Sequence, residues 1–312
     1  MKAHTIPNRT GPAAACVLCG GRLGPVVYPY GVRWSGQIFR YRRCSTCGSS
    51  SIDPVPTEAQ IESMYRQDSY HGDFYSDVEK EPTESFLPAL RGDLPETGKV
   101  LDFGCGNGAF LRQAVAAGFA PEGVELDPEA RRVASENSGC RVMSWEELIA
   151  AGHKYHIIHL GDVLEHLPRP AETLVKLERL LEPDGCFFLE GPIEDNPSLV
   201  YAAAKLFGGL KRLAGRPVLA AFPPYHLYRT SSRLQRWFIE ERMGYRVDRH
   251  VVIETGWPYL QPDDRLTSPR GVGHAVRMLI GYSARPVATI VRPLGLGLGN
   301  RFATLAMPQQ RL

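Results

Sequence analysis

The chain has 312 residues, of which 43% are hydrophobic and 22% charged, and its formal net charge is +2. This length suits one and a half to two compact domains, and the composition is that of a globular protein with enough apolar residues for a core. The net charge is too small to indicate a nucleic-acid partner on bulk charge alone.

We expect no membrane-spanning segment, because Arg or Pro interrupts every long apolar run. The first residues carry charge and lack an apolar stretch, which argues against a secretory signal peptide. We therefore expect a cytoplasmic protein, in which paired cysteines serve as metal ligands rather than as disulfides.

Two short cysteine units near the N-terminus, Cys16–Gly20 and Cys44–Gly48, both have the form CxxCG. Strand-like residues around a glycine-rich turn separate them, which predicts a ribbon of two knuckles joined by a hairpin over residues 1–56. Four thiolates in two knuckles suit a structural, tetrahedral Zn²⁺, with rubredoxin-like iron and redox disulfides as the alternatives. The expected zinc ligands are Cys16, Cys19, Cys44 and Cys47.

A helical linker is expected over residues 57–97. Thr57 is suited to cap a helix that runs through Tyr65. The segment 69–75 that follows is aromatic, and it would either form a lid over a ligand or pack as an ordinary amphipathic segment. Its aromatic and histidine residues include Tyr70, His71 and Tyr75.

From residue 98 to residue 312, strand patterns alternate with helix patterns, which predicts an α/β, Rossmann-like, doubly wound and mostly parallel sheet. Seven strands are expected, at 99–103, 121–126, 140–143, 155–160, 186–190, 245–253 and 300–307. The helices between them include 109–117, 128–137 and 171–181, the last stopped by Pro-Asp-Gly at 183–185. We expect a cap insertion at about 192–230 and a helical insertion at about 262–295.

Asp102 ends the first of these strands, and three glycines follow it at alternate positions: Gly104, Gly106 and Gly108. Glycine is needed where a backbone turns sharply and approaches a ligand closely. Glu125 ends the next strand, where a carboxylate can accept hydrogen bonds from both hydroxyls of a ribose. An NAD-type Rossmann domain or a bare tight turn is the alternative, although the spacing GxGxG differs from the GxGxxG of that fingerprint.

Four blocks in this order resemble class I S-adenosylmethionine (SAM)-dependent methyltransferases: Asp102–Gly108, Glu125, Gly161–Leu167 and Leu181–Gly185. The resemblance implies a SAM-dependent enzyme in which the glycine loop passes the methionine part of SAM. It also implies that Asp102 holds the amino group and Glu125 the ribose, while Ser144 and Trp145 flank the adenine. The implied cofactor-binding residues are Asp102, Gly104, Cys105, Gly106, Gly108, Glu125, Leu126, Ser144, Trp145 and Asp162.

SAM is an activated methyl donor, so the protein has chiefly to position an acceptor and remove its proton. His166, after the fourth strand, is one candidate base, with loop packing as the alternative. Tyr225 and His226, in a Pro-Pro-Tyr-His segment, are further candidates for a base or an orienting group. Asp162, Glu165 and His166 also resemble the acidic–His cluster of quinone O-methyltransferases, which can bind a divalent cation.

A zinc ribbon ahead of this domain resembles bacterial sugar C-methyltransferases and methyltransferases of polysaccharide or natural-product gene clusters. We therefore expect a small-molecule or glycan acceptor, including a lipid-linked one, in secondary or envelope metabolism. Apolar stretches with Lys and Arg at Ser198–Leu213 and Val272–Val291 would either cover the substrate or contact a membrane surface peripherally.

Two other functions remain open as alternatives. An RNA methyltransferase would hold its substrate with the basic and aromatic residues of the ribbon. Those residues are Arg33, Trp34, Phe39, Arg40, Tyr41, Arg42 and Arg43. A non-catalytic, cofactor-binding interaction protein is the second alternative, and the intact glycine loop with Glu125 argues against it.

Overall fold

The computed structural model describes residues 15–28, 31–66, 87, 91–215, 219–220, 223–253 and 298–309. The expected lid segment at 69–75 and the expected helical insertion at 262–295 lie outside these residues. In the described part of the chain, none of the helices combines the length and the apolarity that crossing a bilayer requires.

The N-terminal module, residues 15–53, is a small sheet with the four cysteines at one end. Its strands are β1 (Leu23–Val26), β2 (Gly31–Trp34), β3 (Gln37–Cys44) and β4 (Ser50–Asp53). β3 pairs antiparallel with each of the other three. Alternate residues of a strand point to the same face, and Phe39 and Tyr41 of β3 are buried accordingly.

Helix α1 (Glu58–Arg66) follows this module. Thr57 caps it as predicted, because the Thr57 hydroxyl accepts a hydrogen bond from the Gln60 backbone N–H at 3.2 Å. The Gln60 side chain accepts one from the Thr57 backbone N–H in return, at 2.9 Å. This reciprocal pair satisfies backbone groups that a helix start leaves without partners.

The central sheet begins with β5 (Lys99–Phe103), β6 (Ala120–Val124), β7 (Val142–Met143), β8 (Tyr155–Gly161) and β9 (Leu181–Pro192). Helices α2 (Ala109–Ala116), α3 (Pro128–Ser138), α4 (Trp145–Ala151) and α5 (Pro170–Glu178) connect these strands. With β12 (Tyr245–Ile253) and β13 (Arg301–Pro308), the strand order is β12-β13-β9-β8-β5-β6-β7. β5 to β9 pair in parallel and β13 runs antiparallel to both neighbours, which confirms a Rossmann-like, mostly parallel seven-stranded sheet.

One expected boundary is wrong. The Pro-Asp-Gly turn at 183–185 does not end a helix, because α5 already ends at Glu178 and β9 already begins at Leu181. Leu181 pairs with Tyr155 and Cys186 pairs with Ile157, so the turn residues form an irregularity inside the strand. Burial of the leucines at 180 and 181 outweighs the local turn signal.

The expected cap insertion connects the two sheets. It contains α6 (Leu199–Leu213), β10 (Leu219–Ala220) and β11 (Tyr228–Arg229), and α7 (Ser232–Trp237) follows. β10 pairs with β2 and β11 pairs with β4, so both strands extend the sheet of the N-terminal module. Cys16, Leu23 and Cys44 share one apolar cluster with the central sheet.

A buried carboxylate fixes the contact between the module and the insertion. The Asp195 side chain is 2% exposed and accepts hydrogen bonds from Arg43 at 2.9 Å and from the Ser50 hydroxyl at 2.6 Å. The Tyr28 hydroxyl also donates to Asp195. A buried carboxylate needs such partners because its charge is costly to remove from water.

We expect Asp195→Ala to lower the free energy of unfolding by about 2 kcal/mol, since it leaves the buried hydroxyls and part of the Arg43 charge without their acceptor. Chemical denaturation of purified protein measures this change. The control is Arg246→Ala, which removes an ion pair whose arginine is 62% exposed and should change stability little. Equal stability of Asp195→Ala and wild type would contradict a stabilising role of Asp195 in the contact between the module and the insertion.

Candidate active site and metal centre

The glycine loop between β5 and α2 leaves no room for side chains at its two ends. Gly104 has φ +80°, and a Cβ there would lie 2.7 Å from Val163 Cγ2. Gly108 has φ +81°, and a Cβ there would lie 2.8 Å from the Ala134 carbonyl oxygen. The loop therefore exposes backbone rather than side chains, which is the form of a cradle for a closely bound ligand.

Glu125 follows β6 directly and lies against this loop. Its carboxylate accepts hydrogen bonds from the Gly106 backbone N–H at 3.0 Å and from the Leu126 backbone N–H at 2.7 Å. Leu126 itself is 62% exposed, so the surface beside the carboxylate is open. Burial raises the pKa of the Cys105 thiol, and this residue can meet a ligand only through its backbone.

The residues expected at the adenine have separate structural roles. The Ser144 hydroxyl caps α4 by accepting from the Glu147 backbone N–H at 3.2 Å, while Glu147 accepts from the Ser144 N–H at 2.7 Å. Trp145 meets the Phe103 ring edge to face, with centroids 5.8 Å apart. Contact of Ser144 or Trp145 with adenine stays a prediction.

The predicted base candidates meet beyond the end of β8. The turn Leu164–His166 holds Glu165 and His166, and the Leu227 backbone N–H donates to the Glu165 carbonyl at 2.8 Å. This bond brings His226 beside His166, with ring centroids 4.9 Å apart. His166 Nδ1 lies 2.8 Å from the Tyr65 hydroxyl of α1. The ring of Tyr225 lies 6.1 Å from that of Tyr65.

His226 has a carboxylate partner. Its Nδ1 lies 3.1 Å from Glu194 Oε2, and Arg229 Nε lies 2.7 Å from the same oxygen. Burial disfavours the charged carboxylate, but Arg229 and His226 outweigh it and lower the pKa of Glu194 to about 2. Burial likewise opposes protonation of His226, but the Glu194 charge prevails and raises the pKa of His226.

The surroundings of His166 and Glu165 favour the neutral form of each side chain. Burial, together with the charge of His226, lowers the pKa of His166 to about 3. Burial and the nearby Asp162 carboxylate raise the pKa of Glu165. His226 is also the more accessible histidine, because its side chain is 30% exposed and that of His166 is 13% exposed. The arrangement favours His226 as the proton acceptor.

Asp162 does not belong to the cluster of possible ligand atoms that includes the two residues with which the sequence grouped it. It has φ +53°, and its carboxylate pairs with Arg301 of β13 at 2.8 Å. Donor atoms of Glu165, His166 and His226 instead lie within 4.8 Å of one another. Binding of a divalent cation in this region stays a prediction of the resemblance.

Sequence reasoning missed four residues that the structure brings into the site: Tyr65, His159, Glu194 and Arg229. His159 interrupts the apolar strand β8, and Glu194 follows β9 at the carboxyl edge, so both carried a local signal. Arg229 is the last residue of β11 and had no motif to distinguish it.

The four cysteines of the N-terminal module form a compact cluster. Their sulfur atoms lie within 4.8 Å of one another, with 3.7 Å between Cys16 and Cys47 and 3.5 Å between Cys19 and Cys44. Sulfurs around a tetrahedral zinc are about 3.8 Å apart, given Zn–S bonds of about 2.3 Å. The Gly21 and Thr46 backbone N–H groups point at Cys19 and Cys44 sulfurs, each at 3.4 Å. The cluster fits a structural Zn²⁺, which stays an expectation.

We expect Cys44→Ser to abolish stoichiometric zinc and to lower the melting temperature, because the module loses one of four ligands. Elemental analysis of the purified protein measures the metal, and calorimetry measures the melting temperature. Cys140→Ser, a half-buried thiol outside the cluster, is the control and should retain both properties. Iron in the wild type, or unchanged zinc in Cys44→Ser, would refute the expectation.

Residues 76–250 match the model of a family described as methyltransferase domain. The chain is similar to a ubiquinone biosynthesis O-methyltransferase of Actinobacillus pleuropneumoniae, with 33% identity over 102 residues, or 29% of this chain and 44% of that protein. It is also similar to one of Aromatoleum aromaticum, with 36% identity over 99 residues, or 29% and 42% of the two proteins. The matched part thus spans less than half the length of these curated relatives.

A solved complex between the Haloferax volcanii Trm112 methyltransferase activator and a methyltransferase contains a chain of similar fold. The TM-score is 0.50 at 14% identity, and the match covers 80% of this chain and 98% of that one. At this identity the likeness concerns the fold alone.

Proposed function

The chain belongs to the methyltransferase-domain family, and we propose that it is a SAM-dependent methyltransferase that methylates a hydroxyl group of a small molecule or glycan. The observation that carries this proposal is the pair of His226 and Glu194, with 3.1 Å between Nδ1 and Oε2. A histidine held in this way by a carboxylate is suited to remove a proton from a hydroxyl.

The cofactor would be held at the carboxyl edge of β5 and β6. The glycine-rich loop from Gly104 to Gly108 fits a closely approaching ligand, and Glu125 fits the ribose hydroxyls. Asp102 lies at the start of this loop and is 2% exposed. When bound there, SAM supplies an activated methyl group, so the acceptor oxygen is the group that the protein must prepare.

The protein prepares that oxygen through an ion pair of Arg229 with Glu194 and a hydrogen bond of Glu194 with His226. Arg229 keeps Glu194 charged, and Glu194 accepts the Nδ1 proton of His226, which leaves Nε2 to accept the proton of the acceptor hydroxyl. Glu194 then stabilises the resulting imidazolium. The 30% exposure of the His226 side chain lets this proton pass on to water.

The contacts of the N-terminal module favour a small acceptor over RNA. Arg42 pairs with Asp53 at 3.0 Å and Arg43 pairs with Asp195, while Phe39 and Tyr41 are buried. These residues are therefore engaged in packing the module and its junction. The curated relatives are named for ubiquinone biosynthesis, which also favours a small molecule.

A lipid-linked acceptor stays within the proposal. Leu206, Leu210 and Leu213 of α6 are 63%, 53% and 87% exposed. They lie at helical spacing on one face, and such a face can rest on a membrane or on another part of a protein.

We expect purified wild-type protein to bind SAM with micromolar affinity and Glu125→Ala to bind it at least tenfold more weakly, because the ribose hydroxyls lose a charged acceptor. Calorimetric titration measures both dissociation constants. Glu136→Ala, whose side chain is 61% exposed on α3, is the matched control. Absence of SAM binding by folded wild type would refute the proposed function.

We expect His226→Asn to lower kcat by about 100-fold or more, since general base catalysis contributes this much or more. Transfer from labelled SAM to a panel of phenols, catechols, quinols and nucleotide sugars identifies the acceptor and measures the rate. SAM affinity, measured in parallel, should not change. An unchanged kcat in this variant would refute the base assignment.

Glu194→Gln should change the pH dependence as well as the rate. Activity rises with pH as His226 loses its proton, and the Glu194 charge raises the pKa of His226. Removing that charge lowers this pKa, so the rising limb of the pH–rate profile should move to lower pH while kcat falls. A limb that stays in place would show that His226 is not the titrating group.

A further inference from the structure

A fully buried histidine lies between two carboxylates in the centre of the main sheet. His159 of β8 is 3% exposed, and its Nδ1 lies 2.7 Å from Asp102 Oδ1 of β5. Its Nε2 lies 3.2 Å from Glu190 Oε1 of β9. Asp102 and His159 are register partners, and Glu190 is the register partner of Gly161, two residues along β8, so the three side chains come from three neighbouring strands.

The two contacts fit a doubly protonated ring. Both ring nitrogens of His159 face carboxylate oxygens, and only an imidazolium can donate at both positions. Burial opposes this charge, but Asp102 and Glu190 outweigh it and raise the pKa of His159 to about 9. An imidazolium between the two carboxylates offsets the repulsion between their negative charges.

Packing holds the ring in this position. His159 stacks on Phe110 of α2, with centroids 3.6 Å apart and planes 15° apart. A Cβ at Gly161 would lie 2.6 Å from His159 Cε1, so the glycine two residues along the same strand gives the ring its space. Helix α2 follows the glycine loop directly. The His159 ring of β8 therefore contacts the helix next to that loop as well as side chains of β5 and β9.

We propose that His159 is a positioning residue of the cofactor site, which fixes the Asp102 carboxylate as an anionic acceptor for the amino group of SAM. The contact with His159 uses Oδ1 of Asp102, so Oδ2 is the oxygen to be offered to the ligand. Asp102 lies two residues before Gly104, at the point where the loop leaves β5. This inference rests on the proposed function, since it concerns the same cofactor.

The test compares two ligands that share the adenosine part. SAM carries the amino group, whereas 5′-methylthioadenosine lacks the whole amino-acid part. We expect His159→Asn and His159→Phe to weaken SAM binding about tenfold or more, because the acceptor of the ammonium group loses its orientation or its charge. Binding of 5′-methylthioadenosine should stay within about twofold of wild type. Calorimetric titration measures all of these dissociation constants.

His153→Asn is the matched control. His153 also pairs with a carboxylate, Glu122, at 2.8 Å, but its side chain is 31% exposed and this pair does not include Asp102. Both ligands should bind this variant as they bind wild type.

The outcomes separate this inference from the proposed function. If wild type binds SAM and the His159 variants bind it equally well, the positioning role is refuted while the proposed function stands. If the variants lose SAM and 5′-methylthioadenosine together, His159 supports only the fold and the inference is refuted. If wild type binds no SAM, both fail.

A measurement on wild type keeps the inference testable should both variants fail to fold. Nitrogen-15 NMR of the imidazole reports how many ring nitrogens carry a proton. Two protonated nitrogens on His159 at pH 7 support the inference, and a neutral ring with a single protonated nitrogen overturns it.

Discussion

Parallel pairing of β5, β6, β8 and β9 is the constraint on which the site depends. The carboxyl ends of parallel strands lie at the same edge of a sheet, so residues far apart in sequence lie close together there. Asp102, Glu125 and Glu190 reach that edge from three different strands. The antiparallel β13 lies between β9 and β12 and brings Arg301 to Asp162.

The N-terminal module is part of the architecture of this site. Arg229 lies over the rings of Tyr28 and Tyr41, with its guanidinium carbon 4.4 and 3.7 Å from their centroids. The Tyr41 hydroxyl donates to the His226 carbonyl at 2.7 Å. A cysteine cluster that stabilises the module thereby stabilises the backbone on which His226 and Arg229 are placed, although no cysteine of that cluster is a residue of the proposed proton-transfer chain.

Two groups of buried charges in the described part of the chain are matched. Glu194 is compensated by Arg229 and His226, and the two carboxylates beside His159 share one imidazolium. Such groups are costly to desolvate and strongly destabilising when one partner is removed. They therefore fix the orientation of the reacting and ligand-binding groups more firmly than exposed ion pairs would.

Local patterns in the sequence were sufficient to predict the features that depend only on neighbouring residues. The CxxCG units, the Thr57 cap and the glycine spacing after Asp102 each depend on residues within one turn or loop. Alternation of strand and helix patterns was sufficient to predict the sheet, because a parallel strand needs a crossover helix.

The tertiary structure alone decided which side chains meet. Glu194 and His226 lie near opposite ends of the expected cap insertion, and Asp102 meets His159 only because β5 and β8 are neighbours. Strand order and the path of an insertion depend on the apolar surface that the whole chain buries. Burial also outweighed the local turn signal at 183–185, which lies inside a strand.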